Sequence, residues 1–329
     1  MKKTKVLLNL IFSIVVATVF LSLFSLAYSF SGIYLTNNDK STDHRWRPYE
    51  IKSTMTEGFA WLRMDKNGYN NLLSSEELDA ILIGSSHMEA LQIEKTDNVS
   101  SILNNDYSIG IYNIGMAGHN LYRCVDNYPF SIQKYTPKKY SIIETSSVVL
   151  TIPEMNEVID GNAKRITSYD SGLIYYAQYI PAFRPIYKQL TDWMAQNPAG
   201  EGSITQQKLT LPEGYADTLH RFLSIVSNTA KANGIIPIIF YHPSEQINPD
   251  GTVTYNTDNL YLDCFASVCV DLDIVFVDMT DSFKNLYATE HQLAYGFINT
   301  AVGSGHLNKY GHCAIAEKLA EVIQGLEAE

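Results

Sequence analysis

Cysteine is scarce in this chain, with four residues in 329, which excludes the dense disulfide framework that holds small secreted domains together. Cys264 and Cys269 are the nearest pair, and the sequence alone leaves both a bridge and two buried thiols open. No Cys-x-x-Cys or His-Glu-x-x-His pattern occurs, so no metal site is expected, and no motif calls for a cofactor. Positive charge is also short: 24 Lys and Arg stand against 35 Asp and Glu, a net charge of -11. Binding a phosphate backbone needs clustered basic side chains, so no nucleic-acid partner is expected. Internal repeats and low-complexity tracts are missing. With 46% apolar and 18% charged residues the composition is globular, and the length suits one large α/β domain or two small ones.

What is present begins at the amino terminus. Lys2, Lys3 and Lys5 precede an uncharged stretch, Val6 to Ser31, dominated by Val, Leu, Ile and Phe. A bilayer needs about 20 apolar residues to cross its hydrocarbon core, whereas the apolar region of a cleaved signal usually runs to roughly 7–15. An uncleaved membrane anchor is therefore expected. Ser25-Leu26-Ala27 has the small-x-small form of a cleavage site, and cutting after Ala27 would give a secreted protein instead. In either case the lysines stay in the cytoplasm and residues beyond about 32 lie outside it.

Residues 32–75 have weak periodicity and read as a membrane-proximal linker and lead-in, with Trp46, Trp61 and Tyr69 as candidates to pack on the domain that follows. From residue 76 to 329, apolar runs alternate with helical spacing. Strands are predicted at Asp79 to Gly84, Gly110 to Ile114, Tyr140 to Ser147, Ile235 to Tyr241 and Asp273 to Asp278. Helices are predicted at Leu121 to Lys134, Tyr215 to Ala232, Tyr255 to Val270 and Tyr310 to Gly325. Alternating strands and helices predict an α/β fold with a doubly wound parallel sheet. About residues 150–212 fit it less well and read as an inserted helical segment, with aromatic and aliphatic residues at helical spacing from Tyr175 to Trp193.

The stretch Asp79 to Glu89, D-A-I-L-I-G-S-S-H-M-E, organises the rest. A buried strand breaks at Gly84 into two serines and a histidine, where an α/β protein presents side chains and free amides to a ligand. Ser86 is the candidate nucleophile, although the same position suits a helix cap. A serine hydroxyl needs a base and oxyanion donors. Of the eight histidines, His306, in the glycine-bounded run Gly303 to His312, is the best-placed base.

These motifs resemble the SGNH/GDSL hydrolase superfamily. Gly84-Ser85-Ser86 is similar to its Gly-Asp-Ser block, with Ser85 in place of the aspartate. Asn113-Ile-Gly115-Met-Ala-Gly118 matches Asn-x-Gly-x-x-Gly, and His306-Leu-Asn308-Lys-Tyr-Gly311 matches the carboxy-terminal block. The matched regions, roughly 78–147 and 234–325, cover about half the chain in the family's order. The resemblance implies a flavodoxin-like fold, Ser86 as nucleophile, His306 as base and the Gly118 amide as an oxyanion donor, with Asn113 beside it among the oxyanion and substrate-binding residues. Two family positions are not filled. Gly303 stands where an aspartate should orient His306, and Asp281 is the candidate replacement, ahead of Asp278. Ser146 or Ser147 is the candidate for the missing third oxyanion donor, and His87, next to the nucleophile, is a candidate pocket residue.

The implied function is that of an extracytoplasmic serine esterase or O-acyltransferase acting on acyl esters, acetyl above all, of a cell-envelope or exported polysaccharide. Its partners would be the membrane, through the amino-terminal helix, and an acylated carbohydrate or other ester. The alternative is an inactive domain of the same fold that binds glycan or scaffolds an envelope assembly.

Overall fold

The computed structural model describes residues 2–28, 35–36, 44–46, 48–49, 51–54, 57–72, 78–163, 210–257 and 259–328. Its centre is a five-stranded parallel sheet of β1 (Ala80–Ile83), β2 (Ile111–Asn113), β3 (Tyr140–Thr145), β4 (Ile236–Tyr241) and β5 (Val275–Asp278). The spatial order is β5-β4-β3-β1-β2. This is the flavodoxin-like order 2-1-3-4-5, whose reversal beside the first strand opens a crevice at the carboxyl ends of β1 and β3. Both faces of the sheet are covered, so its strands are apolar runs rather than alternating ones, and every residue of β1 is buried.

Helix α2 (Ser86–Glu89) is one short turn after β1, and α3 (Val99–Asp106) leads to β2. On one face pack α4 (Leu121–Tyr135), α5 (Ile152–Ile159), α6 (Tyr215–Asn233) and α7 (Asn259–Asp271), through residues such as Val125, Met155, Phe222 and Phe265. On the other lie α3, α8 (Thr280–Glu290) and α9 (Lys309–Ala328), through Leu103, Phe283, Ile315 and Leu319. The stop expected at Gly234 is an αL cap with φ 65, its amide bonded back to Ala230 and Lys231.

Three sequence expectations change. The helix predicted from Tyr255 starts only at Asn259, because Val253–Asn256 pairs antiparallel with Ser244–Ile247 as a hairpin. The described residues of the expected linker pack into the domain: Trp46, Leu62, Met64 and Tyr69 are buried in the core on the α4 face, while Trp61 stays 54% exposed. The segment forms its own hairpin, Ile51–Thr54 with Ala60–Arg63, and Asn71 bonds both the amide and the carbonyl of Asn113. Of the expected insertion, α5 belongs to the core, with a capping box between Thr151 and Glu154. The predicted helical run Tyr175 to Trp193 lies outside the described residues. All four cysteines are free, with Cys124 and Cys269 buried.

At the amino terminus, α1 (Lys2–Tyr28) contains a 20-residue stretch, Thr4–Leu23, of mean hydropathy 2.6 and none of it buried. It is long and apolar enough to cross a membrane, a property that anchors and signal sequences share.

On the sheet side of α9, His312 is fully buried, and neither ring nitrogen has a hydrogen-bond partner among the described residues. Burial pushes its imidazole down to about 3, with the nearby His87 and His242 acting in the same direction. The unfolded chain takes up a proton near pH 6.5 that the folded chain refuses, so stability falls as pH drops below 6.5. Relative to wild type, His312→Leu should gain about 2 kcal/mol more at pH 5 than at pH 8, read from denaturant midpoints. An equal effect at both pH values would contradict this account of the site.

Candidate active site

The strand-to-helix turn after β1 is shaped by what lies beneath it. A Cβ on Gly84 would sit 2.7 Å from Glu144 Oε2 and 2.6 Å from Met88 Cγ, so no larger residue fits without displacement. The cap of α2 is Ser85, whose hydroxyl accepts the His87 amide at 3.3 Å. With the capping role taken by its neighbour, Ser86 keeps its hydroxyl for another partner. That partner is His306, whose Nε2 stands 3.0 Å from Ser86 Oγ.

His306 is held from its far side by Glu57. Glu57 Oε2 is 2.7 Å from His306 Nδ1, and Oε1 accepts the His306 main-chain amide at 2.7 Å. Gly305, at φ +87, leaves room for this, since a Cβ there would lie 2.3 Å from Glu57 Oε1. The Glu57 turn is pinned in turn by Asn299, which bonds the Gly58 amide and carbonyl at 2.9 and 3.0 Å. The network assigns the Nδ1–H tautomer to His306, leaving Nε2 to accept from Ser86. Asp281 is not the orienting group. It lies on the first turn of α8, 94% exposed and paired with Lys284 at 3.0 Å, while Asp278 accepts from the Thr280 amide and hydroxyl. Glu57 had no motif to mark it: the residue sits in the weakly periodic lead-in, 249 positions from His306.

The second block lies across α2. A Cβ on Gly115 would be 2.6 Å from Met88 Cβ and 2.8 Å from the Glu89 amide, which explains the glycine. Asn113 faces inward rather than into the cleft, accepting from Gly115 N at 2.8 Å and donating to Met88 O at 2.6 Å. It is a brace between two loops. Gly118, at φ +84, borders the cleft, and neither its amide nor that of Ser86 has a partner among the described residues. The cleft has a volume of about 370 Å³ and runs from Ser86 past Gly118 and Asn120 to Ser146 and Ser147. The Ser146 side chain is exposed at its edge, while Ser147 Oγ accepts the Val149 amide.

Beneath the cleft, Glu144 is buried with both oxygens engaged, Oε2 by the Ser85 amide at 2.6 Å and Oε1 by His242 Nε2 at 2.7 Å. Burial raises its carboxyl, but the hydrogen bond from His242, the two neighbouring imidazoles and the Ser85 amide outweigh it and hold the group down at about 2. His87 is partly buried and lines the cleft, as expected of a pocket residue, its ring 4.9 Å from that of His242 and 5.3 Å from that of His306, accepting the Leu307 amide on Nδ1. Asn308 closes the carboxy-terminal block by capping α9 through the Tyr310 and Gly311 amides and by tying down the Leu293 and Gly296 carbonyls. Among the described residues no group of three or more His, Cys, Asp or Glu is arranged to hold a metal ion.

No protein-family model and no curated protein sequence matches the chain. Several solved structures are similar to it. The psychrotrophic esterase EstA from Pseudoalteromonas sp. is 11% identical, the match covering 76% of this chain and 100% of that one at a TM-score of 0.40. An acetyl xylan esterase is 11% identical, with coverage of 74% and 99% and a TM-score of 0.42. A GDSL-like lipase from Bacteroides thetaiotaomicron is 11% identical, with coverage of 77% and 91% and a TM-score of 0.36. At such identities and scores the chemistry of the cleft has to come from its own geometry.

Burial, and after it the neighbouring His242, push the His87 imidazole down to about 3. Its ring is therefore neutral and an acceptor throughout the physiological range. In a histidine-resolved NMR titration from pH 8 to pH 5, His87 should keep the shifts of a neutral ring; a midpoint near 6.5 would refute the arrangement.

Proposed function

We propose that this chain is a serine ester hydrolase or acyltransferase of the SGNH/GDSL kind. The observation that carries the reading is the unbroken run from Glu57 through His306 to Ser86, at 2.7 and 3.0 Å, opening on a cleft bordered by two unbonded amides. As His306 Nε2 takes the Ser86 proton, Oγ attacks the acyl carbonyl, and the electron pair of the C=O bond moves to oxygen. The Ser86 and Gly118 amides receive that oxyanion, each such donor contributing about 2.7–4 kcal/mol to the transition state. The imidazolium, steadied by Glu57, then gives its proton to the departing alcohol oxygen. Water, or a hydroxyl of an acceptor, repeats the sequence on the acyl-enzyme. Ser146, at the cleft edge, is the proposed third donor to the oxyanion.

The finer part of the reading concerns substrate and place. Lys2, Lys3 and Lys5 before an apolar helix favour an anchored chain with its cleft outside the cytoplasm. Ser85, Asn120, Ser146 and Ser147 border a cleft of about 370 Å³ together with Leu121, Val149 and Leu150, a small mixed lining that favours a short acyl group on a hydroxylated carrier over a long acyl chain. We therefore assign an acetyl ester of an envelope or exported polysaccharide. The inactive-domain alternative draws on both unfilled family positions; Glu57 is the proposed substitute for the acid and Ser146 for the third oxyanion donor.

Two experiments test this reading. A fluorophosphonate should label the full-length protein in detergent, and Ser86→Ala should abolish labelling while Ser85→Ala, which loses a cap worth about 0.5–2 kcal/mol, keeps it. Absence of labelling together with no turnover of short acyl esters would reject the proposal. Glu57→Gln should lower kcat at least about a hundredfold, since an amide favours the wrong imidazole tautomer, whereas Asp281→Asn should leave kcat unchanged. Comparable losses in both variants would remove Glu57 from its role.

A further inference from the structure

The catalytic run does not use the buried groups directly beneath it. Glu144, His242 and Tyr295 are 1%, 0% and 4% exposed, and each comes from a different part of the fold: the end of β3, the residue after β4, and the loop before α9. Burying a carboxylate, an imidazole and a phenol together is costly unless every proton has a taker. Here each has one. The Tyr295 hydroxyl donates to His242 Nδ1 at 2.5 Å, His242 Nε2–H donates to Glu144 Oε1 at 2.7 Å, and the Ser85 amide donates to Glu144 Oε2 at 2.6 Å. Burial raises the Tyr295 phenol well above its usual value, so it keeps the proton that it donates.

The two ends of this chain of bonds matter more than its middle. One end is the main chain of Ser85, the residue before the nucleophile. The other is Tyr295, which pairs across an isolated bridge with Leu307, the residue after the base, and whose neighbour Gly296 bonds the His306 carbonyl at 3.0 Å. A closed ring results: Ser86 to His306 above, Leu307 to Tyr295 at one side, His242 and Glu144 below, and Ser85 back to Ser86. His87 fills its centre, packed edge-on to His242 and Tyr295 and accepting from Leu307. Glu245 anchors the same loop by accepting the Ala294 and Tyr295 amides. Nucleophile and base stand 220 positions apart in sequence, and no regular strand pairing joins their loops.

We propose that Glu144, His242 and Tyr295 are positioning residues that together set the separation of Ser86 from His306. The proposal rests on the serine-hydrolase reading above. A misplacement of about 1 Å between reacting groups costs as much as a hundredfold in rate, so a brace spanning both loops acts on kcat rather than on substrate binding.

The test is a double-mutant cycle on the full-length chain in detergent, with Glu144→Gln, Tyr295→Phe and their combination. The substrate is a short acyl ester, and rates are taken per fluorophosphonate-titrated serine so that partial unfolding does not register. Each single variant should lose roughly tenfold or more in kcat with KM within about twofold, and the double variant should be no worse than the poorer single one, because both cut the same chain. Unchanged kcat in the folded variants, or losses that multiply, overturns the proposal. Tyr295→Phe removes one oxygen and decides the matter alone if Glu144→Gln does not fold. If wild type and Ser86→Ala turn over ester alike, the hydrolase reading fails; if activity depends on Ser86 but Tyr295→Phe keeps full kcat, only the positioning chain fails.

Discussion

The whole arrangement depends on the two-point hold of Glu57 on His306. One carboxylate oxygen fixes the main chain of the base and the other its ring, so position and tautomer are set by a single side chain. A surface ion pair at the same spacing would contribute little, because both partners would keep competing waters. Here the pair is partly buried and geometrically closed by Asn299 and by the bare Cα of Gly305. The lead-in that supplies Glu57 is secured over its length: Trp46 donates its indole N–H to Glu89 at 2.7 Å, Lys52 lies over the Trp46 ring, and Asn70 bonds the Glu89 and Ala90 carbonyls. Glu89 is itself the end of the nucleophile helix, and its second oxygen reaches the Ala117 amide beside Gly118. The same segment therefore bonds His306 and the end of α2 directly, and reaches the Gly118 loop through Glu89.

A division of labour between adjacent serines makes Ser86 available. Ser85 satisfies the helix terminus and hands its own amide to Glu144, so neither demand falls on the residue that faces the cleft. Glu144, reached from a different strand and hidden from solvent, receives that amide beneath the turn. Gly84 and Gly115 are glycines for packing, not for dihedral freedom, since side-chain and main-chain atoms occupy the space where a Cβ would go.

Most of the fold was legible in the sequence because buried parallel strands advertise themselves. Ala80 to Ile83, Tyr140 to Thr145 and Ile236 to Tyr241 are near-continuous apolar runs ending in glycine or polar residues, and their bounds shift by only a residue or two. The misread stretch around Tyr255 belongs to a hairpin on the outside of the sheet, where half-exposed residues carry a weak period. For the proposed site, local spacing pointed to Ser86, Gly118 and His306, because backbone geometry at a strand end demands particular neighbours, and the fold brings Ser86 and His306 to 3.0 Å. It could not reveal Glu57, whose role comes from a contact made only in three dimensions. Reasoning by topology looked to the loop after β5 and chose Asp281, but that side chain points to solvent on α8. Asn113 was legible as a motif residue and misleading as a pocket residue, since its amide spends both ends on main chain.

The ring beneath the cleft also orders the site in time. A domain folds as a unit, although its amino-terminal segments leave the ribosome or translocation pore first. The nucleophile turn and the oxyanion loop lie between residues 80 and 118, while the base arrives only with the segment before α9. In the proposed site Ser86 gains its His306 partner only with that segment in place. A chain cut short before residue 306 would keep the Ser86 turn without His306, so the proposed reactivity would require both halves of the sheet in place.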